Sequence, residues 1–372
     1  MKLKSKRTVN KMGIENQSEE NKGKSIENNS EMLFIYDAKM CNPNGDPDDE
    51  NKPRMDYSRN LNLVSDVRLK RYIRDYLMDY KNKKIFVSKI GGAAVNAKKS
   101  LATILDIENS AKINIASEQV TTFLDNAVDV RMFGAIIPDV TFKEGKGNVT
   151  FTGPVQFNWG HSLNKVTGPM ESSGITSHFQ TGKMTDEEES TKGSGAMGKD
   201  YRVDYSLIAF HGIISAKRAE STRLTAEDLD LFDEAMIKAI PLEATTRSKT
   251  GQSPLLYIRV EYNTPEFFSG DFRRYVKIVE RGGEGNIQEI PFADTAKLRS
   301  TDDYKLDLTR LRDKLIEHCD KISTVHFWKS DDIEISGWDK GGKLKGKLKE
   351  STGAEKEIEI PIDMLPKTEK EN

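Results

Sequence analysis

Cysteine is scarce in this chain. The two that occur in 372 residues, Cys41 and Cys319, are too few for a thiolate zinc cage and define no disulfide framework. Long apolar runs are also lacking. Nothing approaches the ~20 residues that a membrane-spanning helix needs, and the Lys- and Asn-rich N-terminus has no apolar stretch of the secretory kind, so a reducing, cytoplasmic setting is expected. A basic excess is missing as well, since 57 Lys and Arg face 59 Asp and Glu. That balance excludes a protein basic all round, but not one that gathers its positive charge on one face.

Catalytic apparatus is equally hard to find. The five histidines, His161, His178, His211, His318 and His326, show no metal-binding helical spacing, and no Gly-x-Ser-x-Gly elbow occurs. The segment GSGAMGK at 193–199 has phosphate-loop spacing, but Asp200 stands where Ser or Thr would ligate magnesium, and acidic residues precede it instead of a buried strand. The segment NPNGDPDD at 42–49 alternates oxygen-bearing side chains as a calcium loop does. It begins with Asn and has Pro53 at the twelfth position, where an EF-hand has Glu. The sequence therefore points to no catalytic residue, no metal and no cofactor.

What the chain does contain is an alternation of short strands and amphipathic helices. Residues 1–30 are polar and expected to be disordered. A strand is expected from Met32 to the loop after Tyr36. Leu61, Val64, Leu69, Ile73 and Leu77 give a helical stripe within 57–80, and Phe123, Leu124, Val128, Val130 and Met132 a less regular one within 121–133. Strands are expected over 149–159 and 201–211, joined by forty polar residues without a core pattern. A helix follows over 225–240, with Thr225 as N-cap and Asp228 completing an imperfect capping box, and then a strand over 253–262. The order strand, helix, strand, strand, helix, strand is that of α+β ferredoxin-like and RNA-recognition-motif folds. Beyond 263 a strand near 275–280, a helix near 304–318 and a strand near 323–328 are expected; the Lys/Gly stretch 340–349 shows no convincing period.

Three segments have the composition of an RNA contact. VRMFG at 130–134 sets Arg131 beside Phe133, although a plain helix end explains it as well. QFNWGHSLN at 156–164 crowds Gln156, Asn158, His161, Ser162 and Asn164 at a strand end, with an edge strand entering a loop as the alternative account. TTRSKTGQ at 245–252 offers Arg247, Ser248, Lys249 and Gln252 between helix and strand, suited to phosphate but also to an ordinary solvated loop. His211, in an otherwise apolar strand, is expected to be a packed structural residue.

These segments, with NPNGDPD at 42–48 followed by Pro53 and Arg54, and the run from Tyr201 to Gly212, resemble the guide-RNA-binding backbone subunit of type I CRISPR Cascade, in the repeat-associated protein superfamily, and in particular its type I-B branch. The resemblance spans residues 32 to about 263. It implies an RNA-recognition-like palm over 31–335, a helical finger inserted at about 60–148, a thumb at about 160–200 between the two middle strands, and a polar extension over 336–372. It also implies a non-catalytic protomer that stacks head to tail along a guide CRISPR RNA and presents it to target DNA in antiviral defence. Partners would be further copies of itself, a large subunit, an RNA-end-capping subunit and a repeat-processing endoribonuclease. The RNA-binding residues would be Asn42, Asn44, Arg54, Arg131, Phe133, Gln156, Asn158, His161, Ser162, Asn164, Arg202, Arg247, Ser248, Lys249 and Gln252. Two other readings stay open: a metal-dependent ribonuclease of the same superfamily using acids such as Asp37, Asp46, Asp48 and Asp49, and a stand-alone RNA-binding protein.

Overall fold

A computed structural model describes residues 23–88, 96–107, 114–115, 117–137, 141–142, 149–176, 197–282, 288–339, 341–349 and 355–365. The central strand, β1 (Ser30–Cys41), is apolar on both of its faces, because both are covered. Met32, Phe34, Tyr36 and Ala38 point into one core and Leu33 and Ile35 into another. Helix α1 (Asp66–Asp79) starts at Ser65, whose hydroxyl accepts from the Arg68 amide. A short helix, α2 (Val128–Phe133), sets Val128, Met132 and Phe133 into the first core and Val130 into a satellite cluster with Phe86, Leu101, Ile104 and Phe123. Strand β2 (Gly160–Ser162) and the long β3 (Met197–Ile214) pair antiparallel, and β3 then pairs with β1 in a register that sets Phe210 opposite Phe34. Helix α3 (Ala226–Glu243) leads to β4 (Gln252–Tyr262), the antiparallel neighbour of β1 on its other side.

The order β4-β1-β3-β2 continues outward through Leu61–Val64 and Met55–Asp56 on one flank. On the other flank β5 (Ile322–Lys329) joins β4 antiparallel, β6 (Glu355–Met364) joins β5 parallel, and Lys343–Lys349 closes the edge of an eleven-stranded sheet. Helices α1 and α3 cover the first face, where Phe157 stacks against Phe232 and Phe34 against Tyr36. Residues between 272 and 344 cover the second, with Phe272, Tyr304, Leu311, Leu315 and Trp338 packed on Leu33, Ile35 and Leu207. Among the described residues, both faces of the four central strands β4-β1-β3-β2 are packed, so the loops at their ends are where these strands can meet a ligand.

Several elements differ from the sequence expectation. The helix expected over 57–80 begins only at Asp66. Before it, the Asp56 carboxylate accepts from the amides of Ser58 and Arg59 and turns the chain into a hairpin of Met55–Asp56 and Leu61–Val64. The stripe over 121–133 is two helices broken at Ala127 (φ −99°, ψ 82°). The strand over 149–159 divides into Val149–Thr152 and Val155–Phe157 around Gly153 and Pro154. Residues 304–318 supply a strand, Lys305–Asp307, before the helix Thr309–Glu317. The capping box at Thr225 is complete, with both reciprocal bonds to Asp228 formed. His211 is buried, with Nε2 3.5 Å from the Glu31 carboxylate. Of the phosphate-loop-like segment, residues 193–196 lie outside the described residues, as do residues 1–22 of the polar N-terminus and 177–196 of the long insert.

Candidate nucleic-acid interface

Four chain ends meet at one end of the sheet: the close of β1, the start of α1, the early part of β3 and the loop between α3 and β4. Asparagine side chains tie them together. Asn44 Oδ1 accepts from the Ser65 amide at 2.8 Å and hydroxyl at 2.9 Å, so the loop residue holds the cap of α1. Asn42 is buried; its amide donates to the Ser248 carbonyl, its Nδ2 to the Asn51 carbonyl, and its own carbonyl accepts from Lys249 Nζ at 2.6 Å. Burial, with the Arg68 charge adding to it, pushes the Lys249 ammonium down to about 8. Gly251 takes φ +109° and brings its carbonyl to the Lys39 amide, an approach in which a side chain would strike the Lys39 carbonyl oxygen. Gln252 Nε2 donates to the Tyr72 hydroxyl and the Lys249 carbonyl. Asn42 Oδ1 and Gln252 Oε1 stay buried with no hydrogen-bond partner.

Two arginines share Asp200 at this end. Arg202 donates to its carboxylate through Nε at 2.8 Å and to the Met40 carbonyl through Nη1 at 2.7 Å. Arg247 reaches the same carboxylate only at 3.5 Å and keeps 59% of its side chain exposed, so its charge faces solvent. Ser248 supplies a backbone carbonyl to the fold, as noted for Asn42.

The turn after Phe157 lies beside the loop that carries Arg54. Asn158 and Trp159 are exposed, and the Arg54 guanidinium sits 5.8 Å from the Trp159 ring centroid with Nη1 held by Asp46 at 3.0 Å. Asp46 also accepts from the Asp48 amide. His161 Nδ1 lies 3.1 Å from the Ser162 carbonyl, and burial, aided by the Arg273 charge, pushes its pKa below the ordinary histidine value. Ser162 and Asn164 are turned inward. Ser162 Oγ accepts from the Asn62 amide, and Asn164 bridges β3 by accepting from the Leu207 amide and donating to the Tyr205 carbonyl.

Arg131, Phe133 and Gln156 form a separate group. Arg131 makes a two-pronged ion pair with Asp228 (2.8 and 2.6 Å) and donates to the carbonyls of Leu124 and Asp125. Phe133 is buried under the Arg74 guanidinium, 5.0 Å from the ring centroid. Gln156 Oε1 accepts from Lys70 Nζ at 2.9 Å, and burial pushes that ammonium below its ordinary value. Asp228 lies at the start of α3 and Lys249 just past its end, so the helix alone holds Arg131 about 20 Å from the loop-end cluster. Trp159, Lys70 and Arg273 were not singled out in the sequence. Trp159 alone left a signal there, a large aromatic set between Asn and Gly in a turn.

The sequence model of the family described as CRISPR-associated protein Cas7 matches residues 28–309. A CRISPR-associated protein Cas7 from Haloferax volcanii is 33% identical over 320 residues, covering 83% of this chain and 88% of the relative. Two solved chains titled as parts of a CRISPR RNA-guided surveillance complex, one of them pre-nicking, align at 14% identity with TM-scores of 0.41 and 0.44. Each alignment covers 82% of this chain, and 94% and 95% of the solved chains respectively.

Proposed function

The chain belongs to the CRISPR-associated protein Cas7 family, and from that premise we propose that it is the non-catalytic backbone subunit of a type I CRISPR surveillance complex, of the I-B kind. Copies assemble head to tail on a guide RNA in the cytoplasm, and the guide pairs with target DNA. The family match over 28–309 carries this reading, because it spans the four sheet strands and the loops that converge at their ends.

The geometry supports it further. The order β4-β1-β3-β2 suits a ferredoxin-like palm, with about 60–148 as the finger and 160–200 as the thumb. Because both faces of that sheet are covered, RNA runs along the strand-end loops, past Asn42, Asn44, Arg54, Arg202, Arg247, Ser248, Lys249 and Gln252, and past the turn at Asn158 and His161. Ser162 and Asn164 shape that turn, while Arg131, Phe133 and Gln156 set the finger base. The Asp46 carboxylate is engaged with Arg54 and the Asp48 amide, which favours a binding role over a ribonuclease. The large subunit, end-capping subunit and repeat-processing endoribonuclease complete the assembly.

Mass measurement on RNAs of increasing length tests the reading. The bound copy number should climb stepwise with RNA length, and a fixed single copy on every length would refute the filament.

A further inference from the structure

Trp159 keeps 47% of its surface in water, although the backbone beneath it is held from several directions. The Asn158 amide donates to the His211 carbonyl at 3.0 Å, and Gly160 pairs with Val64. Gly160 also lies so close to the Phe210 ring that a Cβ there would come within 2.5 Å of it. From the segment covering the second sheet face, Arg273 Nη1 donates to the Trp159 carbonyl at 2.8 Å. That guanidinium is itself buried and oriented by Asp271 through Nε and Nη2. A rigid turn thus presents a large aromatic face outward, and such a surface loses little conformational freedom when something stacks on it.

The arginines that the structure sets at or near this turn are each matched to an acid. Arg54 is paired with Asp46, Arg59 with Asp56, and Arg273 with Asp271. Phosphate attraction is therefore a poor account of the turn. Stacking is a better one, since every nucleobase has a π face and the contact needs no net charge. Arg54 adds a second feature: its Nε is buried against the protein with no hydrogen-bond partner, beside the ring its guanidinium approaches.

We propose that Trp159 is a stacking platform for one unpaired nucleobase of a bound single-stranded RNA, with Arg54 flanking the seated nucleotide. The proposal rests on the RNA-binding reading above and deepens it by separating a contact made with a base from contacts made with phosphate.

The test compares the full-length protein with Trp159→Ala and Trp159→Phe on an oligouridine too short to seat two copies, at two salt concentrations. An abasic oligonucleotide of the same length serves as control, and circular dichroism confirms folding. Trp159→Ala should bind the oligouridine about 5- to 100-fold more weakly, by the same factor at both salts, and Trp159→Phe should retain most of the affinity. On the abasic strand the wild type and Trp159→Ala should bind alike. Equal binding of oligouridine by wild type and Trp159→Ala, or a loss that vanishes at the higher salt, would overturn the platform while leaving RNA binding by the protein intact. Normal binding of the short RNA by Trp159→Ala with failed assembly on a long one would overturn it in favour of a contact between copies. Failure of the wild type to bind either strand would instead remove the RNA-binding reading itself, and the platform with it.

Discussion

Arg131 and Arg247 look alike in sequence, each a basic residue in a short polar or aromatic segment, but they meet opposite surroundings. Arg131 directs Nε and both Nη groups into the fold, onto Asp228 and two helix-end carbonyls. Arg247 stays 59% exposed and lies 3.5 Å from an Asp200 oxygen that Arg202 holds more closely. Arg259 is the extreme of the first kind: with 2% of its side chain exposed, it binds Asp233 through Nε and Nη2, and Tyr257 donates to the same carboxylate. The contrast teaches that an arginine in a promising motif is the more available to phosphate the more of its guanidinium the fold leaves in solvent, as with Arg247, and the less the more donors it turns onto acids and carbonyls within the fold, as with Arg131.

The sharpest way to break this contrast is Arg259→Met, which leaves Asp233 buried and unpaired. Urea denaturation should show a loss of about 3–5 kcal/mol, with RNA affinity of the folded protein unchanged. Next comes Arg131→Ala, expected to cost about 2–3 kcal/mol because Asp228, also part of the α3 capping box, loses its counter-charge. If stability survived and the salt dependence of RNA binding flattened, Arg131 would belong with Arg247 after all.

An acid without an arginine sharpens the comparison from the other side. Burial raises Asp37 to about 6, against hydrogen bonds from Tyr205 and the Ser253 amide. A carboxyl whose pKa rises on folding favours the fold fully below its unfolded value near 4, and loses that contribution as pH rises through about 6. Asp37→Asn should therefore raise stability at pH 7.5 by roughly 1–3 kcal/mol, with the gain fading as thermal melts are repeated toward pH 4. A constant difference across that range would remove the linkage. The smallest stability effect is expected for Arg247→Ala, within about 0.5 kcal/mol of wild type. The slope of RNA affinity against salt should nonetheless fall by about 0.7, and an unchanged slope would take Arg247 out of the interface.

Much of the secondary structure was legible because local rules and tertiary packing agree. The stripe Leu229, Phe232, Met236 and Ile240 with Thr225 and Asp228 marked α3 to within a few residues of its end, since capping and amphipathicity act over one or two turns. The stretch 340–349 was missed although Leu344 and Leu348 alternate with lysines, because Gly346 interrupts the apolar face that packs against Ile316. The hairpin before α1 was also missed, since Leu61 and Val64, three residues apart, fit a helical period, whereas the strand that forms buries Asn62 with Val64 and turns Leu61 to the other face; the Asp56 turn decided it. Within the candidate site, the loops were legible as loops. The inward turn of Ser162 and Asn164 was not, because it depends on which β3 groups lie opposite them.

Composition and periodicity by themselves determined an α+β chain, the order of its principal elements and the segments left over for loops, because those properties depend on residues within a turn or two of one another. Tertiary structure alone decided that both faces of the sheet would be covered, that Asn42, Ser248 and Lys249 would close on one another across some two hundred residues, and that Trp159 would stay in water while Arg131 would not. The reason is physical: a side chain's charge and surface are consumed or spared by whatever the rest of the chain brings to it, and short-range spacing carries no record of that partner.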